Sequence, residues 1–346
     1  MSGGVDSSVA AARLVEQGWE VVGVTMTLLG RGETGFGCCG SPNDVDDAKR
    51  VCERLGVPHY TVDLSELFED KVIKPFAREY LSARTPNPCV ECNRSLKFGH
   101  LLCLAEAWGC EAVATGHYAR VEDGRLLKAA DPAKDQTYFL YSLTRDQLRR
   151  ARFPVGELSK EQVRAEARRL GLRVADKPES QEICFVPRRD YRGVVEALAE
   201  PDAAALRPGP ILDTEGREVG RHEGLVAFTV GQRKGLGAGF ARARYVVALE
   251  PERRAVVVGE AKDVYSGSCL VEDVSWTADG PPPDGRVEAR IRHRHPPAAA
   301  TLSTLDGGSL RISFEAPQRA VTPGQAAVFY RGDEVLGGGV ISRDMR

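Results

Sequence analysis

The first residues whose types and spacing could do chemistry stand at positions 2–8, where the chain reads SGGVDSS. Two glycines let a backbone approach a phosphate closely, hydroxyl groups supply hydrogen-bond donors, and a helix beginning near Ser8 would aim its N-terminal amide groups at the anion. Asp6 would repel a phosphate unless a cation lay between them, so the pattern implies Mg²⁺. The alternative is an ordinary glycine- and serine-rich helix start. Our hypothesis is a phosphate-binding loop, which lacks the GK[ST] of a Walker loop.

Cysteines form the second group of candidates. Cys89 and Cys92 make a Cys-x-x-Cys pair just before a predicted helix over residues 94–108, and Cys184 stands far away in an irregular stretch. A helix N-terminus stabilises a thiolate and raises its reactivity. The spacing allows a reactive pair, an iron–sulfur site, unrelated buried thiols, or a structural zinc site completed by His100 or by Cys38 and Cys39.

The elements that must position these groups differ between the two parts of the chain. Over residues 8–116, helical patterns alternate with short apolar runs, which predicts a parallel α/β sheet. A phosphate loop of this kind normally follows a strand, so we expect a short apolar strand before residue 2 in the full protein. Beyond about residue 210, Gly and Pro separate short β-like runs, including residues 225–230, and predict two small β-rich modules.

Length, charge and the start of the chain restrict the class of protein. The 346 residues are enough for two or three domains, and 47 basic against 49 acidic residues exclude a uniformly cationic surface. No apolar run reaches the length of a membrane-spanning helix, and the first residues lack the features of a signal peptide. We therefore expect a cytoplasmic protein whose nine cysteines are thiols, metal ligands or redox groups.

Three motifs in one chain carry a resemblance to a known family. With SGGVDSS, NPCVECN at residues 87–93 and ESQEICF at residues 179–185, the sequence resembles the tRNA-specific 2-thiouridylases, and further agreement extends along nearly its whole length. The resemblance implies an α/β fold with a parallel-sheet, adenine-nucleotide α-hydrolase-like (Rossmann-like) N-terminal domain, a small β-rich central domain and a C-terminal β-barrel. We place these three domains at residues 1–200, 201–265 and 266–346.

The activity that the resemblance implies is ATP-dependent 2-thiolation of the wobble uridine in tRNAs for Lys, Glu and Gln. ATP would adenylate the C2 carbonyl oxygen with loss of pyrophosphate, and sulfur would then attack C2 and release AMP. The implied partners are tRNA and a sulfur donor, either a cysteine desulfurase or a sulfur-relay protein, with no membrane and no DNA.

The resemblance also implies roles for particular residues. The catalytic residues would be Asp6, Cys92 as the nucleophile and Cys184 as the carrier of a persulfide. The nucleotide would be held, with Mg²⁺, by Met1, Ser2, Gly3, Gly4, Val5, Asp6, Ser7, Ser8, Met26 and Gly116. The tRNA would be contacted by Asn87, Pro88, Cys89, His117, Lys134, Asp135, Gln136, Arg292, His293 and Gln325.

The chain departs from the best-known members at Cys89, where they carry Asp, and at Arg292-His293, where they carry Arg-Tyr. Two cysteines suit a relay in which Cys184 delivers sulfur and a Cys92–Cys184 disulfide remains. Three thiolates, on Cys89, Cys92 and Cys184, suit a [4Fe–4S] cluster with one iron open to bind sulfur. The extra thiol favours the cluster, whereas the lost Tyr leaves a stacking contact at His293 unassigned.

Local charge fits a nucleic-acid partner. Residues 145–196 carry 13 Lys and Arg against 9 Asp and Glu, and residues 231–254 carry 6 against 2, although either cluster alone could be a solvated face. Another ATP-pyrophosphatase, such as an amide-forming synthetase or a lysidine-type tRNA modifier, would explain SGGVDSS but not Cys92 and Cys184. A non-enzymatic RNA-binding or iron–sulfur module would leave Asp6 without a role.

Overall fold

The structure is a computed structural model that describes residues 1–29, 41–179, 183–186, 190–200, 202–236 and 242–343. The chain forms two units, the first made of residues 1–73, 89–189 and 333–335, and the second of residues 74–88, 190–332 and 336–346. Cys38 and Cys39, the candidates for a fourth zinc ligand, lie outside the described residues. No helix among the described residues is long and apolar enough to span a membrane.

The first unit alternates helices with short parallel strands, as the sequence predicts. Gly23–Thr27 pairs in parallel with His59–Asp63, and Val113–Ala114 pairs in parallel with Ala151–Arg152. Arg120–Glu122 and Arg125–Leu127 form an antiparallel hairpin. The α- and π-helical segments run over Val5–Glu16, Pro42–Leu55, Ser65–Phe68, Glu69–Ile73, Pro88–Glu91, Cys92–His100, Leu101–Ala107, Arg145–Arg149 and Lys160–Arg169. Short 3₁₀ turns cover Thr137–Phe139 and Arg173–Asp176.

Local sequence explains where these helices begin. The hydroxyls of Ser159 and Thr144 each accept a hydrogen bond from the backbone amide three residues later, that of Gln162 and Gln147 respectively. The side-chain oxygens of these two glutamines accept a hydrogen bond from the backbone amides of Ser159 and Thr144, so both helices begin with a complete capping box. Ser41 caps the helix whose first residue is Pro42, where the missing amide hydrogen costs nothing.

The helical stretch over residues 65–81 is not uniform. It runs as Ser65–Phe68, a π-helical turn over Glu69–Ile73, and Lys74–Leu81. Pro75 lacks an amide hydrogen and its ring crowds the preceding turn, so the irregular turn lies directly before it.

The second unit contains two β-structures. A four-stranded sheet has the order Glu218–His222, Gly209–Asp213, Ala255–Gly259, Tyr245–Glu250. Six further strands form a closed barrel, in the order Tyr265–Trp276, Leu310–Arg319, Ala298–Thr304, Arg286–Arg290, Ala326–Arg331, Glu334–Ile341, and the last pairs again with the first. Inward-facing side chains such as Val271, Ile312 and Phe329 fill the barrel. The helices of this unit are Lys74–Leu81 and Tyr191–Leu198, with 3₁₀ turns over Ala204–Leu206, Leu225–Ala227, Pro251–Arg253, Ala261–Val264 and Asp306–Gly308.

One predicted strand is wrong. Residues 225–230 begin with the 3₁₀ turn Leu225–Ala227, in which Leu225 and Val226 are buried. A short apolar run indicates burial but does not distinguish a strand from a buried turn. The ring of His222 accepts a hydrogen bond from the amide of Gly224, and this bond fixes the turn.

Candidate active site

The phosphate loop enters the helix Val5–Glu16 with Gly4 as its N-cap, so the helix begins before Ser8, near which the sequence predicts its start. Ser8 is buried inside the first turn, and its hydroxyl donates to the Gly4 carbonyl at 2.8 Å. Because Gly4 has no side chain to cap the first amide groups, these remain available to an anion. Gly3 has φ +67°, and a Cβ there would lie 2.5 Å from the Asp44 carbonyl oxygen, so this position requires glycine.

Two side chains hold the Asp6 carboxylate. Lys160 Nζ lies 2.8 Å from Oδ1 and 2.9 Å from Oδ2, and the Tyr118 hydroxyl donates to Oδ1 at 2.8 Å. Lys160 is only 11% exposed and lies at the start of the helix Lys160–Arg169, 154 residues from Asp6. Burial, and then the charge of Asp6, raise the pKa of Tyr118, so its hydroxyl stays a donor at physiological pH.

The same lysine continues into a chain of charges. Lys160 Nζ lies 2.9 Å from Glu179, and Lys134 Nζ bonds both oxygens of Glu179 at 3.0 and 2.8 Å. Partial burial alone would raise the pKa of Glu179, but hydrogen bonds and charge from Lys134 and Lys160 outweigh it and lower the pKa from 4.5 to about 2. Glu179 thus stays ionised between two lysines at any pH the cell reaches.

This pKa predicts how stability depends on pH. A carboxyl whose pKa falls on folding stabilises the protein above its unfolded pKa, and that contribution is lost as pH falls from about 4.5 towards about 2. We expect Glu179→Gln to lower the free energy of unfolding by about 2 kcal/mol at pH 7, and the difference from wild type to shrink as pH approaches 3. Urea unfolding between pH 3 and pH 7 measures this. Glu161→Gln, an exposed position on the same helix as Lys160, is the matched control, and equal curves for both variants would contradict the prediction.

A second lysine fixes the other side of the loop. Lys177 Nζ bonds the Gly3 carbonyl at 3.0 Å, Asp44 at 2.8 Å and Asp47 at 2.7 Å. The Asp44 carboxylate also accepts from the Ser41 hydroxyl at 2.6 Å. The loop is therefore attached to the helix Pro42–Leu55 by an ion-pair cluster as well as by the close approach at Gly3.

A cavity of about 670 Å³ in the first unit collects most of the predicted nucleotide contacts. Such a volume suits a small-molecule ligand. The predicted nucleotide residues that line it are Met1, Ser2, Asp6, Ser7, Met26 and Gly116, and His117 and Gln136 from the predicted tRNA set join them. Gly3, Gly4, Val5 and Ser8 do not line it; Val5 and Ser8 are buried in the start of the helix.

Gly116 packs directly against the loop, where a Cβ would lie 2.5 Å from the Ser7 amide nitrogen. The next residue, His117, bonds the Thr115 hydroxyl through Nδ1 at 2.8 Å. Removal of this ring from water, helped by the charge of Lys97, lowers the pKa of His117 well below its ordinary value. His117 is therefore neutral at physiological pH and meets a ligand through hydrogen bonding rather than through charge.

The cysteines lie on two elements of the first unit. The helix begins at Pro88, six residues earlier than predicted, because proline suits the first helical position. Cys89 is consequently exposed in the first turn, where the helix N-terminus would stabilise its thiolate. Cys92 is buried at the start of the π-helical segment Cys92–His100.

Cys184 is partly exposed in a turn closed by a hydrogen bond from the Val186 amide to the Ile183 carbonyl. Its neighbour Phe185 packs edge-on against Phe68, with ring centroids 5.6 Å apart. The helix Ser65–Phe68 in turn contacts the segment that begins at Cys92. Cys92 and Cys184 therefore lie on elements that share a packing partner, and Lys97, one turn beyond Cys92, lines the cavity.

The sequence implies two metal groups, and the donor side chains do not fit both equally well. Within the part of the chain that the structure describes, no three His, Cys, Asp or Glu side chains are arranged to hold a metal ion. Cys89, Cys92 and Cys184 are all described, so in this arrangement they do not fit a cluster. Mg²⁺ needs fewer protein ligands, because one carboxylate together with phosphate oxygens and water completes its coordination. Asp6, which lines the cavity with Ser2 and Ser7, could supply that carboxylate.

Two of the residues predicted to contact tRNA make hydrogen bonds within the protein that stabilise the local backbone. Asp135 is 5% exposed and accepts hydrogen bonds from the Ala129 amide at 3.2 Å and the Thr137 hydroxyl at 2.9 Å. Gln136 exchanges two hydrogen bonds, both 2.9 Å, with the backbone of Tyr118. Asp135 and Gln136 thus shape the turn that presents Lys134.

The remaining predicted tRNA residues belong to the second unit. Arg292 donates to the Arg319 carbonyl at 3.1 Å, and His293 follows it in the turn after strand Arg286–Arg290. Asn87 is partly exposed and Pro88 is buried. Gln325 donates to the Thr85 carbonyl at 2.7 Å.

Sequence reasoning missed Lys160, Lys177 and Tyr118. Glu179 was present in the quoted motif ESQEICF but had no role assigned to it. The capping box at Ser159 marks where a helix starts, yet it carries no signal that the next side chain reaches Asp6.

Three protein families match successive parts of the chain. Residues 1–188 match the tRNA methyl transferase HUP domain, residues 202–260 the tRNA methyl transferase PRC-barrel domain, and residues 266–341 the aminomethyltransferase beta-barrel domain. The predicted fold, an α/β N-terminal domain followed by a β-rich middle domain and a C-terminal β-barrel, is confirmed. The boundaries at residues 200 and 265 stay a prediction.

Relatives match over nearly the whole chain. It is 49% identical over 355 residues to the tRNA-specific 2-thiouridylase MnmA of Carboxydothermus hydrogenoformans, covering 99% of this chain and 96% of that protein. The MnmA of Heliobacterium modesticaldum is 49% identical over 357 residues, covering 100% and 92%, and that of Moorella thermoacetica is 50% identical over 354 residues, covering 99% and 98%. The chain belongs to the family of tRNA-specific 2-thiouridylases.

Proposed function

We propose that this protein is a tRNA-uridine 2-sulfurtransferase that uses ATP to thiolate the wobble uridine of tRNAs for Lys, Glu and Gln. The observation that carries the proposal is the cavity where the phosphate loop, Met26, Gly116 and His117 meet. It brings together positions that are far apart in sequence and that the resemblance assigns to nucleotide and tRNA. We place the reaction in the cytoplasm, with its tRNA substrate.

The first step solves the problem of a poor leaving group. The C2 carbonyl oxygen of uracil attacks the α-phosphorus of ATP, a C2–O–AMP bond forms, and pyrophosphate leaves. The amide groups of the helix Val5–Glu16 and the hydroxyls of Ser2 and Ser7 bind the triphosphate. Asp6 would hold Mg²⁺, which neutralises phosphate charge when bound. The target base must leave the anticodon stack to reach a cavity of this kind.

The second step transfers sulfur. A donor protein supplies a persulfide on Cys184, and its terminal sulfur attacks C2 and expels AMP. The Cys92 thiolate then attacks Sγ of Cys184, which breaks the sulfur–sulfur bond and leaves 2-thiouridine with a Cys92–Cys184 disulfide. A thiol reductant returns both cysteines to thiols with two electrons. The partial exposure of Cys184 suits access by a donor protein.

The cluster that the sequence favours at Cys89, Cys92 and Cys184 is tested by one substitution. In the arrangement that the structure describes, these three thiols do not fit a cluster. We expect Cys89→Ser to keep thiolation within about threefold of wild type, as for other exposed positions. Anaerobic purification, iron analysis and 2-thiouridine yield measure this. Loss of both iron and activity in Cys89→Ser would establish the cluster instead.

The whole proposal is tested by incubating the protein with ATP, Mg²⁺, a sulfur source and unmodified tRNA. Nucleoside mass spectrometry should find 2-thiouridine, and AMP and pyrophosphate should appear in equal amounts. AMP formation without thiolated tRNA would indicate another ATP-pyrophosphatase. Binding of tRNA without ATP cleavage would indicate a binding module.

A further inference from the structure

Four charged side chains of the first unit form a continuous ion-pair chain that ends at the phosphate loop. Lys134 Nζ bonds both oxygens of Glu179, at 3.0 and 2.8 Å. Glu179 also lies 2.9 Å from Lys160 Nζ, which in turn bonds both oxygens of Asp6 at 2.8 and 2.9 Å. The Lys134 side chain is 32% exposed and that of Lys160 only 11%. The ion-pair chain therefore leads from the surface inward to Asp6.

The backbone at both lysines is held by one residue, Asp131. Its carbonyl accepts a hydrogen bond from the Lys134 amide at 3.1 Å. Its carboxylate accepts from the amides of Ala133 at 3.0 Å and Lys160 at 3.2 Å. Because these bonds fix the main chain, the partners within the ion-pair chain can be exchanged by rotation of the lysine side chains alone.

The Asp6 carboxylate cannot serve Lys160 and a metal ion equally well. Both of its oxygens bond Lys160 Nζ, and Oδ1 also accepts from the Tyr118 hydroxyl. A divalent cation on the same carboxylate would lie close to the ammonium group, and like charges repel strongly at such short distances. In the arrangement described here, Lys160 is thus the counter-ion of Asp6.

Glu179 determines how firmly Lys160 stays on Asp6. Its charge is shared between two ammonium groups, those of Lys134 and Lys160. If Lys134 turned to another anion, the whole charge of Glu179 would act on Lys160 and weaken its hold on Asp6. A nucleic-acid phosphate is such an anion, and lysine is one of its ordinary partners.

We propose that tRNA regulates the nucleotide site through this ion-pair chain. A phosphate of tRNA binds Lys134 and removes it from Glu179. Glu179 then draws Lys160 away from Asp6, whose carboxylate becomes available to Mg²⁺ and so to ATP. The nucleotide is bound firmly only when the base to be activated is present, which limits unproductive cleavage of ATP. The contact of tRNA with Lys134 rests on the proposed function, whereas the exchange of ion pairs does not.

The test measures binding without turnover. The probe is α,β-methylene-ATP with Mg²⁺, which cannot release pyrophosphate, and calorimetry gives its Kd on the full chain with and without saturating unmodified tRNA. In wild type we expect tRNA to lower this Kd about tenfold, a typical size for coupling between two sites. The nucleotide should lower the Kd for tRNA by the same factor, because such coupling is reciprocal.

Substitutions separate the ion-pair chain from a general effect of charge. Lys134→Met should lower the nucleotide Kd about tenfold without tRNA, and tRNA should lower it no further. Lys134→Arg keeps the charge and should respond like wild type. Glu179→Gln should bind the nucleotide at least as weakly as wild type and lose the response to tRNA. The double variant Lys134→Met/Glu179→Gln should also bind weakly, because the effect of Lys134 passes through Glu179.

Lys49→Met is the matched control. Lys49 lies 4.0 Å from Glu53 in the same unit, and both side chains are 63% exposed. This variant loses a lysine that is paired with a glutamate, as Lys134→Met does, but it lies outside the ion-pair chain. It should bind the nucleotide and respond to tRNA like wild type.

Each other outcome overturns a stated part. Unchanged nucleotide binding in Lys134→Met would overturn the proposal. Tighter binding that persists in the double variant would show a general effect of charge, and a full tRNA response in Glu179→Gln would place the coupling elsewhere; both overturn it. Wild-type protein that shows the coupling but forms no 2-thiouridine would refute the proposed function and leave the coupling standing.

Discussion

Replacing Cys184 by serine is expected to lower 2-thiouridine formation at least about a thousandfold, the order seen when a nucleophile is removed. Serine cannot carry a persulfide, so the activated base has no sulfur to meet. Cys92→Ser should have an effect of similar size on turnover, because the sulfur bound between Cys184 and the base is then not released. Pyrophosphate release in a single turnover should continue in both variants, since neither cysteine lies among the residues that hold Asp6.

Cys103→Ser is the matched control for this experiment. Cys103 is an exposed thiol on the helix Leu101–Ala107, in the same unit as the two reactive positions. It should thiolate tRNA at the wild-type rate. Thiolation by Cys184→Ser with a protein sulfur donor would remove Cys184 from the mechanism, and an equal loss in Cys103→Ser would point to general damage by thiol removal.

The second large effect is expected at Asp6. Asp6→Asn removes the carboxylate placed to hold Mg²⁺ beside the triphosphate, so tRNA-dependent release of pyrophosphate should fall at least about a hundredfold. Tyr118→Phe keeps that charge but removes one hydrogen bond to it, and should lower the rate by about three- to tenfold. Radiolabelled pyrophosphate release measures both, with Mg²⁺-dependent nucleotide binding as a second readout.

An acidic residue outside the site controls for charge. Asp176 pairs with Arg168 on the surface, and Asp176→Asn should release pyrophosphate at the wild-type rate. Thermal unfolding should show Asp6→Asn folded, because Lys160 keeps its ion pair with Glu179. Normal pyrophosphate release by a folded Asp6→Asn would refute the role of this carboxylate.

Local signals predicted much of the fold. The capping box at Ser159, the left-handed helix end at Gly56 and the strands of the barrel each depend on residue types within a short stretch of chain. The start of the phosphate-loop helix was misplaced because Gly4 is a weak sequence marker for an N-cap, whereas Ser8 resembles a strong one. The strand predicted over residues 225–230 is wrong because an apolar run indicates burial, and both a strand and a buried turn satisfy that signal.

The candidate site was predictable where a motif names its residues and not where the fold supplies partners. SGGVDSS indicates Asp6, but nothing near Asp6 indicates Lys160, because their contact depends on how distant helices pack. Gln325 shows the same limit, since its partner Thr85 lies 240 positions away. Motifs therefore locate the reacting groups, whereas the residues that orient them depend on tertiary structure.

Closure of the barrel has a consequence for how the protein comes apart. Tyr265–Trp276 pairs with Leu310–Arg319 on one side and with Glu334–Ile341 on the other, so neither end of the sheet offers a free edge. Detachment of any one whole strand therefore breaks two ladders, and loss of order should spread through all six strands as one cooperative event. A truncation that removed only the final strand would therefore leave an open, aggregation-prone sheet rather than a slightly smaller domain.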